Sequence, residues 1–148
     1  MDDVPASGAA VPDFNVFGWP YTGFVTLFAL LVYFAFAFRV GRARVKYNVP
    51  APAMDGPPEF LCAMRVQMNT LEQLIVFLPL LWIAALSSRD EIAALIGATW
   101  PLARLIYAAG YTRGPDKRHM GFILGLLPLL ALFLLAVVQL VRSALVWQ

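Results

Sequence analysis

Four stretches of this chain are long enough and apolar enough to cross a lipid bilayer, and this restricts its fold more than any other feature. Residues 14–38 carry no charged side chain, and at about 1.5 Å per helical residue such a run covers a hydrocarbon core of about 30 Å. Residues 66–88 are equally apolar apart from Gln67, Asn69, Glu72 and Gln73. Residues 92–112 are interrupted only by Arg104, and residues 120–141 are free of charge. The expectation is an all-α, four-helix integral membrane bundle forming a single transmembrane domain over residues 1–148. With 61% of residues hydrophobic and 14% charged, the chain has too little polar surface to cover a soluble globule of this size.

The segments between the spans set an orientation. RVGRARVKYNVPAPAMDGPPEF, between the first two, opens on basic residues and continues with Pro and Gly, the pattern of a helix end followed by an ordered loop. Pro58 and Glu59 suit the first turn of the second helix, where a missing N–H and a negative charge are both tolerated. YTRGPDKRHMG, between the last two spans, is also basic, whereas SSRDE and the N-terminus lean acidic. The positive-inside rule then puts both basic loops in the cytoplasm and both termini on the opposite side. The N-terminus has no basic region of the signal-peptide kind, so no cleavage is expected.

Smaller features fit the same picture. Trp19, Trp82, Trp100 and Trp147 lie near the ends of apolar runs, where an indole can sit at headgroup depth, although a buried tryptophan is as common. Pro79, Pro101 and Pro128 fall inside spans and predict kinks. Gly121 and Gly125 form a G-x-x-x-G, a pattern that permits close helix contact and that also arises by chance in apolar segments. The lone Cys62 excludes an intrachain disulfide and reads as a packing residue. The basic residues are few and clustered, so nucleic acid is not an expected partner. One His and one Cys make no metal site, and His119 reads as a solvated or headgroup-contacting residue.

Polar side chains inside a span are costly and face partners or a cavity. Arg65, Asn69 and Glu72, at i, i+4 and i+7, share one helical face, while Gln67 points elsewhere, toward a neighbouring subunit. Arg104, Tyr107 and Tyr111, at i, i+3 and i+7, share a face of the third span, with Arg118 soon after. Under the orientation above, both stripes lie at similar depth near the cytoplasmic interface. One reading is an ionic lock, Glu72 with Arg104 or Arg65, and two tyrosines at the interface. The other is a ligand site, because Arg44, Arg65, Arg104 and Arg118 outnumber the one buried acid and an excess of cations in low dielectric asks for an anionic partner.

GPPEFLCAMRVQMNTLEQLIVFLPLLW followed by ARLIYAAGYTRGPDKR resembles the MAPEG family, the membrane-associated proteins of eicosanoid and glutathione metabolism, over about residues 39–125. R-x-Q-x-N-x-x-E at Arg65, Gln67, Asn69 and Glu72, coupled to A-R-x-x-Y-x-x-x-Y at Ala103, Arg104, Tyr107 and Tyr111, carries the resemblance. It implies a homotrimer that holds glutathione between adjacent subunits, in a bacterial inner membrane or the endoplasmic reticulum. Arg65, Asn69, Glu72 and Tyr107 would bind the peptide, with Arg44, Gln67 and Arg104 assisting. Tyr111 and Arg118 would lie toward the sulfur as the catalytic pair.

The activity implied is a glutathione transferase, with glutathione as co-substrate, no metal, and a lipophilic electrophile or lipid hydroperoxide as second substrate. Peroxidase activity would accompany it, in detoxification. A glutathione-dependent isomerase of the prostaglandin-synthase type, a non-catalytic lipid-binding scaffold and a small proton-coupled exporter are the competing readings. Departures from the leukotriene-type pattern at Leu61, Cys62, Ala63, Met64 and Gln73, and Val45 where those relatives carry a second arginine, argue against leukotriene synthesis.

Overall fold

A computed structural model describes residues 18–114 and 119–146. The elements in order are α1 (Pro20–Tyr47), α2 (Pro58–Ser87), α3 (Asp90–Arg113) and α4 (His119–Val146), with no strand among the described residues. Each helix is long and apolar enough to cross a membrane, and the protein is an integral, multi-pass membrane protein. Packing joins α2 to each of the other three helices and α3 likewise, whereas α1 and α4 do not touch. The bundle therefore has a central pair, α2 and α3, flanked by α1 and α4.

α1 does not end where the basic residues begin. It runs on through RVGRARVKY to Tyr47 and closes at Asn48, whose left-handed backbone (φ 52°) lets cap N–H bonds reach Arg44 O and Val45 O. Asn enters this region more readily than most residues, and Arg44 and Lys46 in the last turn oppose the carbonyl end of the helix dipole. The other end is held from a distance. Pro20 needs no N–H partner, and the next two amides, Tyr21 and Thr22, donate to Asp90 at 2.9 and 2.8 Å. The first residue of α3 thus caps the start of α1.

The interior of the bundle is aromatic at its centre. Trp100, fully buried, stacks on Phe77 with centroids 4.3 Å apart and donates Nε1–H to Gln73 Oε1 at 3.2 Å. Of the two readings open for these indoles, headgroup depth or burial, Trp100 takes burial, and the partner that its N–H then requires is supplied by the amide on α2. Trp147 lies outside the described residues. All three span prolines sit within continuous helices.

The G-x-x-x-G of α4 is used for close approach. Gly121 and Gly125 are both buried, and a Cβ built on Gly121 would stand 2.5 Å from Tyr107 N and 2.9 Å from Tyr107 Cβ. Backbone meets backbone there, which seats α4 against the α3 turn that carries Tyr107. The outer faces are apolar, as at Phe24, Leu27, Leu31 and Phe34 of α1, the surface that lipid requires.

Candidate functional site

α2 brings Arg65, Asn69 and Glu72 to one face by its 3.6-residue period, and α3 opposes them with Tyr107 and Tyr111. The result is a groove of ≈ 600 Å³ lined by these five residues together with Met68, His119 and Phe122. That size lies within the usual range for small-molecule sites, about 300–1,000 Å³. The start of α4 forms the third wall, where His119, exposed as expected, also lines the groove from the first residue of a helix.

The tyrosines are buried, at 4% and 8% exposure, against Val32, Phe36 and Val66, and meet edge to face at 5.7 Å. This depth argues against a purely interfacial role. Arg65 and Glu72 are exposed in the single chain. Glu72 was expected to be a buried acid, but it lies on the open side of the groove, about 21 Å along α2 from Pro58 at 1.5 Å per residue. Among the described residues it makes no ion pair, the one present being Arg89–Glu91 at 3.7 Å. The ionic-lock reading therefore fails in the single chain, with Glu72 instead accepting from Asn69 Nδ2 at 3.4 Å.

Arg104 was expected to touch the ligand, but the structure places it behind the groove. It is 0% exposed, its Nη2 donates to Asn69 Oδ1 at 3.0 Å and to Thr70 Oγ1 at 3.2 Å, and its Nε donates to Thr70 Oγ1 at 3.3 Å. Its guanidinium carbon lies 4.1 Å from the Tyr107 ring centroid. The buried cation is thus held by neutral acceptors and a π face, and its Nη1 has no hydrogen-bond partner among the described residues. Arg104 reaches the groove through Asn69, whose amide it orients with Nδ2 toward Glu72. Thr70 carried no sequence signal, since a threonine one residue from a polar stripe is ordinary in a span.

Two further expectations change. Gln67 donates to Tyr33 of the same chain at 2.8 Å rather than reaching outward, because position 67 faces α1. Arg44 stands apart from the groove and holds the α1–α2 loop, donating to Ala53 O at 2.8 Å and lying 5.2 Å from the Phe60 ring centroid. Arg118 lies outside the described residues. No cluster of metal-ligating side chains occurs among the described residues.

Chemically, the groove pairs a cation and an anion with an amide and two phenols, a donor set suited to a zwitterionic, peptide-like ligand. The sequence model of the MAPEG family matches residues 22–138. An uncharacterized protein of Synechocystis is 47% identical over 107 residues, 72% of this chain and 77% of its own length. Mouse microsomal glutathione S-transferase 2 is 44% identical over 65% of this chain and 69% of its length. Bovine leukotriene C4 synthase is 38% identical over 64% of this chain and 63% of its length.

Proposed function

The chain belongs to the MAPEG family, and from that premise we propose that it is a membrane-bound glutathione transferase conjugating the glutathione thiolate to lipophilic electrophiles, with peroxidase activity toward lipid hydroperoxides. The observation that carries this reading is the convergence of Arg65, Asn69, Glu72, Tyr107 and Tyr111 on one groove, beside relatives named for glutathione transfer. Glu72 takes the glutathione ammonium, Arg65 a carboxylate, and Asn69 and Tyr107 the peptide groups. Arg104 positions Asn69, while Arg44 and Gln67 support the site from the loop and from α1. Basic loops face the cytoplasm and the termini the opposite side.

The exposed charges of Arg65 and Glu72 support an oligomer. A carboxylate at mid-helix facing lipid is expensive, and a groove open along its side does not enclose a tripeptide. A second chain laid over Arg65 and Glu72 removes both difficulties, and in this reading the assembly is the homotrimer that the family resemblance implies, with one site per interface.

Catalysis then needs the thiolate. A thiol of ordinary pKa near 8.5 is mostly protonated at neutral pH, and a nearby guanidinium favours the anion. Arg118 supplies that charge and Tyr111 a hydrogen bond to sulfur. The thiolate attacks the electrophilic carbon, forming the C–S bond as the leaving group departs with the bond pair. With a hydroperoxide, two glutathiones are oxidised to the disulfide as the O–O bond is reduced to alcohol and water.

Stopped-flow absorbance of the bound thiolate from pH 6 to 10 tests the assignment. Arg118→Ala retains most glutathione affinity, loses the thiolate band at neutral pH and regains it in alkali. Conjugation falls by at least about tenfold, roughly 1.4 kcal/mol of barrier. Superimposable thiolate titrations of the two proteins remove Arg118 from the mechanism, and no heat of glutathione binding to wild type removes the function.

A further inference from the structure

The far end of α1 holds cations that the glutathione reading does not use. Arg39, Arg42 and Lys46, at i, i+3 and i+7, lie on one helical face and line a groove of ≈ 950 Å³ between α1 and the start of α2. Phe38 and Cys62 supply part of its apolar wall, and Glu59 is the one acid on the lining. Among the described residues no ion pair joins Glu59 to any of the three cations. The lining shares no residue with the groove of Arg65 and Glu72.

Depth identifies the surroundings. Arg39 stands nineteen residues after Pro20, about 28 Å along the helix at 1.5 Å per residue. A hydrocarbon core is about 30 Å thick. The three cations therefore emerge at headgroup level, while Phe38, exposed on the outer face, remains beside acyl chains. A groove with net positive charge at this depth and an apolar wall below fits one ligand chemistry, an anionic phosphate carried on a hydrocarbon tail.

We propose that this groove binds the headgroup phosphate of an anionic phospholipid, with Arg39, Arg42 and Lys46 around the phosphate and Phe38 against the upper acyl chain. The site is built within one chain and stands whether or not glutathione is the substrate of the other groove. Its occupant ties the end of α1 and the loop after it to the surrounding bilayer.

Native mass spectrometry of the delipidated full chain, offered phosphatidylglycerol or phosphatidylcholine in equal amounts, tests the proposal. At roughly fivefold per charge, three cations less the opposing Glu59 give a preference for phosphatidylglycerol of roughly twenty-five-fold. The triple variant Arg39→Gln, Arg42→Gln, Lys46→Gln loses it, while Arg89→Gln, which removes a cation at the opposite end of the bundle, keeps it. Glu59→Gln leaves every cation in place and raises the preference about fivefold, a result that holds even if the triple variant misfolds. Equal retention of the two lipids by wild type, or no gain in Glu59→Gln, overturns the proposal. Displacement of the lipid by an equal concentration of inorganic phosphate makes the groove a site for soluble anions and also overturns it. Glutathione titration of Glu59→Gln stays at the wild-type value, so the outcome is separate from that of the other groove.

Discussion

Gly121→Ala is the substitution whose effect the structure specifies best. The new Cβ would stand 2.5 Å from Tyr107 N and 2.9 Å from Tyr107 Cβ, about 1 Å inside an ordinary contact distance of ~3.5 Å. Both neighbours belong to or adjoin the α3 backbone, so no rotamer change relieves the clash and α4 must retreat from α3. Overpacking of this kind costs about 1–3 kcal/mol. Gly125→Ala is the matched control, because its Cβ would meet Gln73 Oε1 at 3.3 Å and Arg104 Nη1 at 3.7 Å, side-chain atoms that can yield. Both substitutions gain the same helix propensity, about 0.8–1 kcal/mol, so their difference isolates the steric part. Thermal unfolding in detergent should place Gly121→Ala below Gly125→Ala by at least about 1 kcal/mol. Because Tyr107 faces His119 and Phe122 across the groove, glutathione affinity should fall only in Gly121→Ala. Equal stability of the two variants refutes the backbone contact as the seat of α4.

Glu72→Gln should weaken glutathione binding at least tenfold, about 1.4 kcal/mol, with melting unchanged, since the carboxylate is exposed in the chain and meets only Asn69; calorimetric titration checks it, and unchanged affinity in a folded variant refutes it. Arg104→Met should leave stability within about 1.5 kcal/mol, because an apolar side chain replaces a buried charge that has no carboxylate, yet lower glutathione affinity by freeing the Asn69 amide. An unaltered titration would show that the bond from Arg104 to Asn69 positions nothing. Asp90→Ala should lower stability by about 1–2 kcal/mol through the lost cap on α1 and spare glutathione binding, which lies at the other end of the bundle; a melting curve identical to wild type counts against the cap.

The four helices were legible because hydrocarbon leaves one code to read, the length of an uncharged run. The pairing of Arg65, Asn69 and Glu72 with Tyr107 and Tyr111 was legible because a helical period and an alternating topology fix both face and depth. What escaped were contacts between elements distant in sequence. The Asp90 cap joins residues 69 apart, and Trp100 entered the core because Gln73 could accept its N–H. Gln67 met Tyr33 for the same kind of reason. The cost of a charge in lipid predicts an inward Glu72, whereas the inner positions on α2 belong to Thr70 and Gln73. Nothing local distinguishes those two positions from Glu72.

The hydrogen bonds from Arg104 to Thr70 and Asn69 bear on how the chain enters the membrane during synthesis. α3 is the least apolar of the four helices, and a guanidinium at its centre carries an insertion penalty of about 2.5–3.5 kcal/mol when it enters alone. Its acceptors sit on α2, which leaves the ribosome first and is separated from α3 by only Ser88 and Arg89. The two helices can therefore partition from the translocon as one hairpin, with the arginine already solvated by the preceding helix. A substitution at Thr70 or Asn69 would then show itself first as a defect in topology of the nascent chain, before any finished site exists to be tested.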